Sequence, residues 1–240
     1  LMVDAGMPAW MAVIVAVAVC ALVGVLVEIL AYRPVRKAGP MSALITALAM
    51  SIFLENLAMV LFGAKPHNVQ AIFSLPTITV GGVSLPLNVL LTIGIGVAMM
   101  LCMQLFVKKT KLGKAMRAVP QDKDASTLVG INVNKIITLT FAIGSGLAAI
   151  AGVLLCSAYP TLMPTTGSMP GIKAFTAAVF GGIGSIPGAM IGGILLGIIE
   201  IFSKAYISTQ LSDAIVFAVL IVVLIVKPDG LLGKHVSEKV

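Results

Sequence analysis

The sequence predicts an all-α polytopic membrane protein with about six to seven transmembrane helices, a short helix in a cytosolic loop and a short extracytoplasmic hairpin. Three observations carry that prediction. Hydrophobic residues fill 59% of 240 positions and charged residues only 10%, with a mean hydropathy of +1.12. A soluble domain carries about 25% charged residues, so this chain cannot cover itself with a water-compatible surface. Apolar runs of spanning length recur along the chain, and the basic residues collect between them.

The helices follow in order. A bilayer core needs about 20 apolar residues per helix, and such runs lie at 8–30, 41–63, 87–107, 136–157, 187–203 and 212–227. The apolar piece 172–180 is too brief to cross alone. It predicts a re-entrant or broken element, which is tolerated where protein buries it.

Lys and Arg set the orientation. With the N-terminus outside, the inner loops hold Arg33, Arg36 and Lys37, then Lys108, Lys109, Lys111, Lys114, Arg117, Lys123 and Lys135, then Lys227, Lys234 and Lys239, which is 13 of the 16 basic residues. Lys65, Lys173 and Lys204 remain outside. The positive-inside rule selects N-out, C-in, provided 172–180 and the glycine-rich turn after it complete one crossing. The formal charge of +7 is therefore a topology signal. It is not a nucleic-acid footprint, because no aromatics interleave with the basic residues.

Outside, residues 71–86 read AIFSLPTITVGGVSLP. β-formers alternate on both sides of Gly81-Gly82, a dipeptide suited to a tight hairpin turn. An irregular loop competes with this reading, because Pro76 and Pro86 weaken ladder bonding.

The long polar stretch, 108–135, predicts two short cytosolic helices. The first, Lys114 to Val119, stops at Pro120. The second, about 123–129, is capped by Asp122 and closed by Gly130, which suits a left-handed cap. It carries Ala125, Leu128 and Val129 at helical spacing, an apolar side suited to a partner's groove. A solvated connector has no need of such a side.

Polar residues inside the spans are few. Glu55 and Asn56 lie in the outer third of 41–63, where a carboxylate must face protein or water. They read either as translocation-pathway residues or as a structural hydrogen bond to a neighbouring helix. Glu28, beside Arg33, reads as interfacial pairing or snorkelling, and Glu200 with Lys204 as a surface i,i+4 pair. The run Gly181, Gly182, Gly184, Gly188, Gly192, Gly193 and Gly197 allows close helix approach. The break from Ile183 to Pro187 frees backbone groups for protein or a water-lined path. Gly181, Gly182, Gly184 and Pro187 are thus pathway candidates, with packing as the alternative.

No Walker-type loop follows the glycines, so nucleotide is bound elsewhere. His67 and His235 have no partner at ligand spacing, and Cys20, Cys102 and Cys156 read as separate, buried, inert thiols. No metal site and no catalytic constellation is expected.

Several long motifs stand in a recognisable order: YRPVR at 32–36, GKAMRAVPQDKDASTLVGINVNKIITLTFAIGSGLAAIAGVL from 113, FGGIGSIPGAMIGGILLG at 180–197 and KPDGLLG at 227–233. Together the chain from about 20 to 233 closely resembles the branched-chain amino acid ABC permeases of the LivH type. The resemblance implies one transmembrane permease domain over 1–240, with 108–135 as its cytosolic coupling loop. Ala125, Ser126, Thr127 and Gly130, with Lys114, Arg117 and Asp124 beside them, would seat on an ATPase. It implies an inner-membrane (cytoplasmic-membrane) transport subunit of a bacterium, not an enzyme. Its partners would be a LivM-type second permease, two ATPase subunits that bind ATP and Mg²⁺, an extracytoplasmic amino-acid-binding protein and membrane lipid. No cofactor is expected in this chain. An ion-coupled secondary amino acid carrier is the alternative, and it needs several paired charges near the midplane, where Glu55 stands as the one serious candidate. LivH-type subunits carry an Asn-Phe-Ala-His-Gly type stretch near the front. This chain starts at Leu1 without it, so about two helices, on the order of 40 residues, are expected to be missing at the N-terminus.

Overall fold

The computed structural model describes residues 8–36, 38–68, 77–80, 83–159 and 161–233. The chain is a polytopic all-α membrane protein. Among the described residues five helices are long and apolar enough to cross a membrane: Trp10–Val35, Met41–Phe62, Leu87–Lys109, Val133–Ala158 and Ile186–Tyr206. The run expected at 212–227 is the 15-residue helix Ser212–Val226, about 22 Å long against a hydrocarbon core of about 30 Å. Large apolar side chains cover the outside, with Val60 82% and Ile225 78% exposed, as expected where lipid is the solvent. Cys20 and Cys102 share that exposure, which corrects the expectation of buried thiols.

The chain divides into two compact units, each described by itself. The first comprises Leu1–Val97 and Leu105–Thr166. Its centre is the antiparallel pair α1 (Ala9–Val27) and α7 (Val133–Ala158). These helices approach at Gly24, where an added Cβ would stand 2.0 Å from Ser145 Oγ. Tyr32 and Phe141 also meet, with tilted rings whose centroids are 4.9 Å apart. Below α1 the chain makes a π-helical turn, Glu28–Tyr32, and a short α2, Arg33–Val35. Pro34 supplies the reason: it has no N–H for the Leu30 carbonyl, and a wider i→i−5 turn absorbs the mismatch.

The remaining spans of this unit are α3 (Pro40–Phe62) and α4 (Leu87–Lys109, of which 98–104 belong to the second unit). β1 (His67–Asn68) follows α3 and pairs antiparallel with β4 (Thr161–Leu162), which follows α7. The hairpin expected at 71–86 is present as β2 (Thr77–Val80) and β3 (Val83–Pro86), in a register that pairs Val80 with Val83. Its Gly81-Gly82 turn and residues 71–76 lie outside the described residues.

The second unit, Ala98–Gln104 and Gly167–Val240, is built on α8 (Ser168–Gly181), α9 (Ile186–Tyr206) and α10 (Ser212–Val226). Ala177, Phe180, Leu196 and Val216 form its core, with Val219, Val223 and Leu231 packed around them. The apolar piece 172–180 is the inner part of α8, 14 residues long.

Candidate functional site

The loop between α4 and α7 contains α5 (Lys111–Ala118) and α6 (Lys123–Leu128), the two short helices expected there, the first starting three residues earlier. Thr110 makes the corner out of α4: its hydroxyl donates to the Phe106 carbonyl at 2.7 Å and accepts from Gly113 N at 2.9 Å. Gly113 is required at that corner because a Cβ would lie 2.4 Å from Val107 Cα. Val119, 3% exposed, anchors the far end of α5.

Both ends of α6 are closed. The Asp122 carboxylate accepts from Ala125 N at 2.9 Å, a side-chain N-cap. At the other end Gly130 takes φ +86°. Gly130 N donates to the Thr127 carbonyl, and Ile131 N donates to the Ser126 carbonyl, both at 3.0 Å. This pair of bonds is the Schellman closure, in which glycine avoids the Cβ penalty of the left-handed region. Asn132 then accepts from Lys135 N and starts α7. A six-residue helix is too short to persist alone, so its caps and its packing on α5 and α7 hold it.

The face that α6 presents is apolar and open. Leu128 is 88% exposed and Val129 80%. Lys114, Arg117, Asp124, Ala125, Thr127 and Gly130 are exposed around them. Ser126 differs from the other expected contact residues: it is buried, and its hydroxyl donates to the Asp122 carbonyl at 2.6 Å. It therefore fixes the helix and presents no surface.

A buried polar cluster lies just behind this loop, and sequence reasoning missed it. Glu28 is fully buried and ion-paired with Arg36. Thr138 Oγ1 donates to its other oxygen at 2.7 Å, and Arg36 donates to Asn134 Oδ1 at 2.7 Å. Glu28 is thus neither snorkelling nor paired with Arg33. The π-helical turn swings Arg36 beneath it, a displacement that a 3.6-residue wheel cannot anticipate. The available signal was a carboxylate inside an apolar run with an arginine eight residues on.

Glu55 and Asn56 stand on α3, in the first unit. Asn56 is exposed, and its amide donates to the Ile52 carbonyl of its own helix at 2.7 Å. The glycine run lies in the second unit. There Gly181 faces Gly188, with an added Cβ 2.0 Å from the Gly188 carbonyl oxygen, and Gly192 faces the Ala177 carbonyl at 2.5 Å. Gly193 is looser, and Gly184 and Gly197 have nothing within 4 Å. The helix break runs from Gly182 to Ser185, and Pro187 sits in the first turn of α9, where its missing N–H costs nothing. Protein satisfies the groups freed by the break: Leu231 N donates to the Phe180 carbonyl and Leu232 N to the Gly181 carbonyl, both at 2.9 Å. The motifs FGGIGSIPG and KPDGLLG are therefore one packed feature.

The expected Glu200–Lys204 pair is present at 2.5 Å and belongs to a larger cluster. Lys173 bridges Glu200 and Asp213, each at 2.8 Å, so α8, α9 and α10 share it.

The sequence model of the family described as "Branched-chain amino acid transport system / permease component" matches residues 1–224. The high-affinity branched-chain amino acid transport system permease protein LivH of Escherichia coli (strain K12) is 43% identical, over 94% of this chain and 74% of that protein. BraD of Pseudomonas aeruginosa, which bears the same description, is 42% identical over 90% of this chain and 72% of its own length. The ribose import permease protein RbsC of Escherichia coli is 28% identical over 80% of this chain and 60% of that protein. No solved structure matches.

Proposed function

Because the chain belongs to the family of branched-chain amino acid transport permease components, we propose that it is the membrane-spanning permease subunit of an ATP-driven ABC importer for branched-chain, hydrophobic amino acids. The observation that supports this most directly is α6, a helix capped at both ends that offers Leu128 and Val129 to a partner. An ATPase subunit on the cytosolic side is the partner of that face. It binds the ATP and Mg²⁺, and a second ATPase serves a LivM-type second permease. An extracytoplasmic binding protein delivers the amino acid. The chain lies in the bacterial inner membrane with its N-terminus out and its C-terminus in.

In this reading the ATPases close on nucleotide and displace α6. Asn132 joins α6 to α7 without slack, and the Arg36–Asn134 bond passes the displacement to α1. A two-helix pair joined by the Arg36–Asn134 and Thr138–Glu28 hydrogen bonds moves as one body, so a small shift at the loop reaches the far side of the membrane. Reconstitution with the partner subunits in vesicles tests the assignment. Uptake of labelled leucine is expected to require ATP inside and to survive collapse of the proton gradient. Uptake driven by that gradient without ATP overturns it in favour of a carrier.

A further inference from the structure

Between the α6-loop ends of α1 and α7 lies a groove of about 490 Å³. Its lining is graded along the helices. Arg33, Asn132 and Lys135 stand at the mouth, and Val25, Leu139 and Ala142 line the deeper part. Val25 is eight residues from Arg33, about 12 Å along a helix. The polar layer of a bilayer is about 5–8 Å deep on each side, so the groove runs from headgroup depth into hydrocarbon.

Among the described residues the charges at the mouth are uncompensated. Glu28 neutralises Arg36, whereas among the described residues neither Arg33 nor Lys135 has an ion-pair partner. Both are exposed. The first turn of the 26-residue α7 adds the positive end of its helix dipole. Two free cations, an amide and an apolar trough in line match a molecule with one anionic end and one hydrocarbon end. A zwitterionic lipid would bring its own cation to this mouth and gain less.

We propose that this groove binds one anionic phospholipid, its phosphate held by Arg33, Lys135 and Asn132 and an acyl chain laid along Val25, Leu139 and Ala142. The lipid seals the junction of α1 and α7 beside the loop, and basic pockets between transmembrane helices are a known way to hold such headgroups.

The full chain, purified in detergent, is titrated with phosphatidylglycerol and the bound lipid counted by native mass spectrometry. One tightly held molecule is expected. Arg33→Gln and Lys135→Gln should each weaken it about fivefold, the factor for one basic group at a membrane surface. Ala142→Phe keeps both charges, fills the trough and should also release the lipid. Lys108→Gln with Lys109→Gln removes two charges at the end of α4, more than either groove variant, and should change nothing. The proposal fails if the groove variants bind like wild type, if the Lys108/Lys109 variant loses the lipid equally, or if phosphatidylcholine binds as well. It also fails if inorganic phosphate raises the unfolding midpoint as much as phosphatidylglycerol, because the site then recognises an anion and not a lipid.

Discussion

Arg36, just past the foot of α1, donates a 2.7 Å hydrogen bond to Asn134 in the first turn of α7, 98 positions away in the sequence. The same guanidinium neutralises the fully buried Glu28. Removing one member of such a pair strands the other charge, at a cost of roughly 3–5 kcal/mol, whereas removing both with apolar replacements is often near neutral. Arg36→Leu is expected to lower the unfolding midpoint sharply, and Glu28→Leu with Arg36→Leu to restore much of it. Thermal unfolding of the detergent-solubilised chain measures both, and equal losses in the single and double variants refute the pairing.

Gly24 of α1 faces Ser145 and the Phe141 carbonyl of α7, and a β-branched side chain there has no space. Gly24→Val should cost about 1–3 kcal/mol, as overpacking does. The nearest obstacle is Ser145 Oγ, so Gly24→Ala should improve when combined with Ser145→Gly. Absence of that rescue would place the crossing elsewhere.

The cytosolic helix separates surface from conformation. Leu128→Glu and Ala125→Glu change an exposed face and should leave membrane insertion intact while reducing ATPase co-purification. Gly130→Val acts differently. It forces a β-branched residue to φ +86°, costing roughly 1–2 kcal/mol, and should loosen α6 before it weakens the partner. If all three variants co-purify the ATPase at wild-type levels and support normal uptake, the loop is a connector.

Orientation has its own test. In a background lacking Cys20, Cys102 and Cys156, a cysteine at Thr209 should react with an impermeant reagent from outside intact cells, and one at Thr127 should not. Both positions are exposed, so access to the reagent is decided by the membrane alone. The reverse labelling pattern inverts the topology.

Glu55 distinguishes a hydrogen-bonding role from a charge role. Glu55→Gln keeps the geometry and should preserve assembly and uptake, and Glu55→Leu should lower stability by stranding its partner. Loss of uptake in a well-assembled Glu55→Gln variant would assign the charge itself to transport.

The spans and the loop helices were legible because their signals are local: apolar length, Asp122 as a cap, Gly130 as a stop. The lateral relationships were not. Glu28 was read as pairing at the interface beside Arg33 or as snorkelling, whereas the π-helical turn Glu28–Tyr32 changes the phase and its partner is Arg36. Ser126 was grouped with the contact residues because it stands among them, yet it is turned inward. Lys173 was counted as an outer-loop charge, although two acids on other helices hold it. In each case the deciding partner lies far along the chain or across a distorted turn, and periodicity carries no record of either.

The hydrogen bonds from Leu231 and Leu232 to Phe180 and Gly181 also set an order of events during biosynthesis. The end of α8 at Gly181 is synthesised fifty residues before Leu231, the first residue of the strip that closes it. Until that strip is made, two carbonyls at the end of α8 lack their final donors, and Gly182 lacks the neighbours, Gly230 and Gly233, that later press against it. Chains arrested before residue 231 therefore lack both of the bonds that latch this junction.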